Sequence, residues 1–221
     1  VSISKDAALS TEINFGIKSE SISVCYLGYD DLNGEKKEIK LPEKFFLFAG
    51  VIKERKNVRN IVLAFNEFKK QEKIKGSGDY KLVAIGKHEG RYFQELQNLI
   101  KDLKLENEIF FKGFVTLEEK RFVYSKAESL IFASLAEGFG MPILEAFSVG
   151  LPVITSNYGS MKELAGEAGV LVDPTNLESI AGAFNNFATQ KINREELIEK
   201  GLERVKQFSW EITTKKILEN I

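Results

Sequence analysis

Residues 134–145 read Ser-Leu-Ala-Glu-Gly-Phe-Gly-Met-Pro-Ile-Leu-Glu, with Glu137 and Glu145 separated by a stretch that holds two glycines. The stretch follows an apolar strand and opens a helix, and Pro142 is of the type favoured at the first helical position. Gly138 and Gly140 let the backbone approach a ligand closely, and the free amides of a helix's first turn attract an anion such as a phosphate. Glu145, expected on that first turn, has two readings: an acceptor for sugar hydroxyls, or a charge that merely suits the helix end. Glu137 on spacing alone is equally an ordinary loop charge.

A basic cluster, Lys53-Glu54-Arg55-Lys56-Asn57, follows the strand ending at Ala49 and the glycine Gly50. Arg55 and Lys56 there suit phosphate oxygens and would stabilise charge growing on a leaving diphosphate, although a solvated charge run has the same composition. Gly86 and the run Gly113-Phe114-Val115 close two further strands, where backbone could meet a nucleobase or simply turn. A glycosidase acid and base would flank one bond with carboxyl groups about 5 to 9.5 Å apart. Glu137 and Glu145 fit that poorly, since one sits in a glycine-rich loop and neither has a supporting motif. His88 and Cys25 are assigned no chemistry.

From Phe45 onward, short apolar runs alternate with longer amphipathic ones, which predicts a doubly wound, Rossmann-like α/β domain with about six parallel strands. The strands expected are Phe45 to Ala49, Lys81 to Ile85, Glu108 to Lys112, Ser129 to Ala133, Pro152 to Thr155 and Gly169 to Val172. They are apolar throughout, as strands covered on both faces should be. Helices are expected at Val58 to Lys73, Tyr92 to Leu103, Leu117 to Ala127, Pro142 to Val149, Leu177 to Gln190 and Glu195 to Gln207. Ahead of them, Lys5 to Phe15 reads as a helix capped by Gly16, Ser21 to Tyr26 as a strand, and residues 29–42 as a linker. Ser209 is placed to cap a last helix, Trp210 to Ile221.

The chain of 221 residues is long enough for one complete domain. Its 31 basic and 32 acidic residues leave no electrostatic footprint for nucleic acid. One cysteine and one histidine exclude a disulfide framework and a Cys-His zinc site. No apolar run approaches the roughly 20 residues of a membrane span, and no signal peptide opens the sequence. A soluble, cytoplasmic protein is expected, at the inner face of the membrane if it forms part of a longer one.

With the motifs in view, EGFGMPILE resembles the E-x7-E motif of retaining, GT-B fold glycosyltransferases of family 4 (group 1). FFLFAGVIKERKN resembles that family's opening strand and basic loop, KLVAIG and IFFKGFV its next glycine-terminated strands, and AFSVGLPVITSNYGSMKELAGEAGVLVDP its C-terminal run. The resemblance implies that residues 43–207 bind a nucleotide-sugar donor, residues 1–28 close an N-terminal acceptor domain, and residues 208–221 pack back toward it. It further implies that Glu137 faces the donor sugar and that the backbone of Gly138, Phe139, Gly140 and Met141 contacts sugar and phosphate oxygens. Glu145 would hold the ribose, and Arg55 and Lys56 the diphosphate, with no metal required. Many members carry arginine after the first strand's glycine; here Val51 follows Gly50, which leaves that task to Arg55.

Expected, then, is a hexosyltransferase domain that transfers a sugar, with retention, from a nucleoside diphosphate to a glycan or lipid-linked acceptor. Loops ending in Arg-Lys-Asn recur in mannosyl and related transferases of surface polysaccharide assembly, which favours GDP-mannose over UDP-sugars. Because the acceptor domain is read as absent, the chain is expected to be inactive alone. Competing readings are a nucleotide-sugar-binding module without turnover and a nucleotide-sugar epimerase, the latter disfavoured by a single histidine.

Overall fold

The computed structural model describes residues 1–75 and 79–220. Strands β1 (Lys44–Ala49), β2 (Tyr80–Ile85), β3 (Ile109–Gly113), β4 (Ser129–Phe132), β5 (Val153–Ser156) and β6 (Gly169–Val172) form one sheet, ordered β3-β2-β1-β4-β5-β6. Every pairing is parallel. Around it lie helices α1 (Lys5–Phe15), α2 (Val58–Lys75), α3 (Arg91–Asp102), α4 (Leu117–Lys126), α5 (Met141–Ser148), α6 (Gly159–Ala165), α7 (Leu177–Ala188), α8 (Arg194–Val205) and α9 (Trp210–Leu218). The architecture is the doubly wound α/β fold that the alternation predicts.

The strand β1 shows why the pattern is legible. Successive side chains of a strand point to opposite faces. Phe46 and Phe48 accordingly enter a core with α2, α3 and α7, while Phe45 and Leu47 enter a second core with α4, α5 and α6. Both faces are dry from Phe45 to Ala49, so none of those positions calls for a polar residue. Phe46 alone stacks on Tyr80 at 5.2 Å and meets Phe184 of α7 at 4.6 Å between ring centroids.

Three features depart from the sequence expectations. Ser21 to Tyr26 is not a strand: a short 3-10 turn occupies Ser19–Ser21, and only an isolated parallel bridge joins Ser2 to Val24. An extended segment without a neighbouring strand of similar length has no ladder to complete. The helix α6 was not foreseen, because its seven residues begin at Gly159 in a left-handed conformation and follow a turn-like Ser-Asn-Tyr. Finally, α5 begins at Met141, which places Pro142 second and Glu145 in the second turn rather than the first. The last helix is capped by Ser209 as expected and ends at Leu218; Ile221 lies outside the described residues.

The N-terminal segment is tied to the sheet side of the molecule through α6. Ser4 caps α1, and Glu163 accepts from the amides of Lys5 at 3.0 Å and of Asp6 at 3.4 Å. Tyr26 donates its hydroxyl to the same carboxylate at 2.6 Å. Residues 29–42 carry no regular structure but lie against α4 and α5, with Leu32 fully buried and Lys37 paired to Glu119 at 2.8 Å.

Burial first, and then the hydrogen bond to Glu163, push the Tyr26 phenol up to about 12 from 10.0. The folded protein therefore holds this proton more tightly than the unfolded chain, and the associated stability is complete below about pH 10 and lost as pH rises toward about 12. Tyr26→Phe is expected to flatten the fall of stability across that window in urea unfolding. An unchanged slope would separate Tyr26 from the docking of this segment.

Candidate functional site

The chain leaves β1 toward β2 on one side of the sheet and β4 toward β5 on the other, so a crevice opens beyond the carboxyl ends of these two neighbours. The two loops that flank it are joined by Asn57. Held in a left-handed conformation, it donates through Nδ2 to the carbonyls of Ala133 at 2.9 Å and Pro174 at 2.7 Å. The amide of Leu135 donates in return to the carbonyl of Arg55 at 2.8 Å.

This junction brings Glu137 to the adjacent cations Arg55 and Lys56, which are far from it in sequence. Glu137 forms an ion pair with Lys56 Nζ through Oε1 at 2.6 Å and accepts from Arg55 Nη1 on Oε2 at 2.8 Å. Lys56 is nearly buried over the ring of Phe132, at 4.6 Å from its centroid, and burial lowers the affinity of its amine for the proton against the opposing pull of Glu137. Arg55 is more than half exposed. The Lys56 ammonium also lies behind Gly50, whose missing Cβ would fall 3.8 Å from Nζ.

The glycine-rich loop itself is held almost entirely through its carbonyls. Those of Ser134, Leu135, Ala136, Glu137 and Gly138 accept, in that order, from Ser156 Oγ, Tyr158 OH, Arg55 Nη1, Ser160 Oγ and Ser4 Oγ. Within a peptide unit the N–H points opposite to the C=O. The amides of Gly138 and Phe139 therefore point away from Ser160 and Ser4. Among the described residues, the amides of Gly138, Phe139, Gly140 and Met141 donate to no protein acceptor. Gly140, with φ of 122°, ends the loop at the N-cap of α5, where only glycine adopts the backbone without strain. The result is a preformed set of donors beside two cations, suited to an anion.

Next to it is a cleft of about 360 Å³ lined by Gly50, Gly86, Phe114, Lys120, Met141 and Glu145, among others. Gly86 has φ of 121°, and a Cβ there would collide with the Gly50 carbonyl, so the two strand-end loops can touch only with glycine at this position. Phe114 is 87% exposed at the rim. Glu145 is 4% exposed and takes Lys120 Nζ on Oε1 at 2.5 Å and the Tyr124 hydroxyl on Oε2 at 3.1 Å. Burial, and then the neighbouring carboxylate, push the Tyr124 phenol well above its ordinary range, so it remains a donor.

The structure thus gathers Glu137, Arg55 and Lys56 at one point, and Gly86, Phe114, Met141 and Glu145 around the adjoining cleft. Gly138 and Gly140 bound the loop between them. Phe139 instead turns inward, 5% exposed, against Tyr26 and Phe208 at 6.4 and 6.3 Å. His88 is structural: its Nδ1 meets the Gly86 carbonyl at 3.2 Å, and its ring lies tilted against Phe93 at 4.6 Å between centroids. Sequence reasoning missed Asn57 as the junction, and Lys120 and Tyr124 as the partners of Glu145. The last two share a helix face by their spacing, but nothing in the sequence identifies which element that face meets.

Residues 30–204 match the family model described as Glycosyl transferases group 1. The chain is 32% identical to O-antigen chain mannosyltransferase B of Escherichia coli over 77% of its own length and 43% of the relative's. It is 30% identical to O-antigen chain mannosyltransferase RfbU of Salmonella typhimurium over 83% of its length and 48% of that protein's. It therefore spans less than half of each of these curated relatives. Its fold superposes on a crystal structure of a glycosyltransferase from Rickettsia africae with a TM-score of 0.83 at 21% identity, covering 98% of this chain and 61% of that one.

The buried pair yields a direct test. Removing one partner of a buried ion pair costs about 3 kcal/mol, because the other charge is left poorly compensated. Lys56→Met is expected to lower stability by about that amount, and adding Glu137→Gln to recover part of it, in a double-mutant cycle read by urea unfolding. Strict additivity would show that the two side chains do not act as a unit.

Proposed function

Since the chain belongs to the group 1 glycosyl transferases, a family with the GT-B fold, we propose that it binds a nucleoside diphosphate sugar in the crevice between β1 and β4. It would deliver the sugar, with retention at the anomeric carbon in the manner of family 4, to an acceptor hydroxyl presented by a further domain. The observation that carries this reading is the adjacency of two differently built compartments. One is an anion site of oriented amides with Lys56 and Arg55, and the other a mostly apolar cleft with a single sunken carboxylate, Glu145. A diphosphate fits the first, and a nucleoside the second.

In this reading Glu145 accepts from the ribose hydroxyls, and Gly86 and Phe114 border the base. The N–H groups of the loop from Gly138 to Met141 meet oxygens of the sugar and phosphates. As the glycosidic bond lengthens, charge accumulates on the leaving diphosphate, and preorganised donors aimed there lower the barrier most. Lys56, Arg55 and the N-terminus of α5 supply that positive potential in place of a metal ion. Glu137 both orients the two cations and borders the sugar. The leaving phosphate itself takes the acceptor's proton, so no side chain is required as a base.

The mannosyltransferase names of the relatives support GDP-mannose as donor and assembly of a surface polysaccharide or glycolipid as the context. Among the described residues no helix is long and apolar enough to cross a membrane.

Calorimetry or thermal-shift measurements with GDP, UDP, ADP and their sugars test the reading, since a ligand of the folded state raises the melting temperature. GDP and GDP-mannose are expected to give the largest shifts. Glu145→Gln is expected to weaken binding about tenfold through loss of charged hydrogen bonds. No stabilisation by any nucleotide would overturn the donor-site reading, and a preference for UDP-sugars would move the assignment to that class.

A further inference from the structure

Glu145 is a buried carboxylate in the cleft read above as the ribose pocket, close to where a diphosphate would lie. Two liabilities follow. A charge taken out of water is costly unless it is hydrogen-bonded, and a neighbouring phosphate repels it. Two side chains from one face of α4 meet both. Lys120 Nζ lies 2.5 Å from Oε1, and the Tyr124 hydroxyl donates to Oε2 at 3.1 Å. The capping box of Thr116 and Glu119 starts α4 at Leu117, and the four-residue spacing from Lys120 to Tyr124 sets both on the same side of it.

Neither residue is explained by packing alone. Tyr124 is wholly buried, where phenylalanine would fill the same volume without a hydroxyl to satisfy. Lys120 lines the cleft, and three quarters of its side chain is withdrawn from solvent onto a carboxylate of another helix. Each carboxylate oxygen accepts about two hydrogen bonds. One donor on each oxygen fixes the plane of the group and leaves each a second lone pair. Vicinal hydroxyls of a ribose are two donors at a matching separation.

We propose that Lys120 and Tyr124 are the positioning residues for ribose recognition: they hold the Glu145 carboxylate oriented so that it accepts from both ribose hydroxyls of a nucleoside diphosphate. The proposal rests on the donor-site reading and adds to it the source of discrimination between ribose and deoxyribose.

The test is calorimetric titration of GDP and UDP against their 2′-deoxy forms. The proteins compared are the unsubstituted chain, Lys120→Met, Lys120→Arg, Tyr124→Phe and Glu145→Gln. The unsubstituted protein is expected to favour the ribose form about tenfold, as one lost hydrogen bond to a charged group implies. Lys120→Met and Tyr124→Phe are expected to erase most of that preference while binding the deoxy form nearly as before, and Lys120→Arg to retain it. Lys120 sits at the cleft wall, so its substitution keeps the result decisive even if Tyr124→Phe fails to fold. An unchanged preference in both variants would overturn the proposal. So would an equal loss for ribose and deoxyribose forms in Lys120→Met, which would make Lys120 a direct ligand of phosphate or base. If Glu145→Gln retains the preference, or no nucleotide binds to the unsubstituted chain, the ribose reading of Glu145 itself fails instead.

Discussion

A parallel sheet whose order reverses between β1 and β4 cannot close the space beyond those two strand ends with its own crossover helices. That gap is a consequence of topology, and the residues around it settle what it can hold. Asn57 bridges it from below by donating to both Ala133 and Pro174, and the left-handed backbone it needs is one that asparagine tolerates better than most residues. With the two loops joined, the side chains immediately before Asn57 and shortly after Ala133 must meet. Lys56, Arg55 and Glu137 are those side chains. The ion triad is thus a result of the strand order more than of any attraction that folding had to search for.

Electrostatics then distinguishes the two halves of the crevice. Around Glu137, two cations and outward amides outweigh one carboxylate. Glu145 itself is balanced by Lys120 and a neutral hydroxyl, on a mostly apolar wall that Lys87 also borders. A polyanion is favoured at the first and a neutral polyol at the second. The asymmetry has a structural origin: the loop before α5 is held by its carbonyls, which turns its amides outward, whereas Glu145 is held by its side chain, which faces α4.

Much of the fold was legible because the central strands β1, β2, β4 and β5 are covered on both faces and so appear as largely apolar runs. Where an element lacks that cover, legibility fails. Ser21 to Tyr26 has strand-like residues but no partner strand, and α6 is too short for a helical period to emerge from its turn-like start. At the site, glycine and charge at strand ends make Arg55, Lys56, Glu137 and Glu145 candidates in one dimension, and the family resemblance is what gives them roles. α5 starts one residue earlier than Pro142 suggests, so Glu145 lies in the second turn, where Lys120 and Tyr124 of α4 meet it. Lys120 and Tyr124 looked like an ordinary exposed lysine and an ordinary core tyrosine, because their role exists only once α4 and α5 are packed together.

The loop that presents the amides is also where the N-terminal segment touches the sheet domain. Ser4 is fully buried and uses one hydroxyl twice, accepting from Ala7 to cap α1 and donating to the Gly138 carbonyl at 2.9 Å. Glu163, on α6, accepts the next two amides of α1, and Ser160 of the same helix holds the Glu137 carbonyl. Two of the five donors that hold the loop's carbonyls therefore come from Ser4 and from the helix on which residues 1–28 dock. A displacement of that segment would be felt first as a loosened Gly138 peptide, at the position where an anion would be bound. The orientation of the anion site and the seating of the N-terminal segment are in this way one mechanical problem, solved by a serine shared between them.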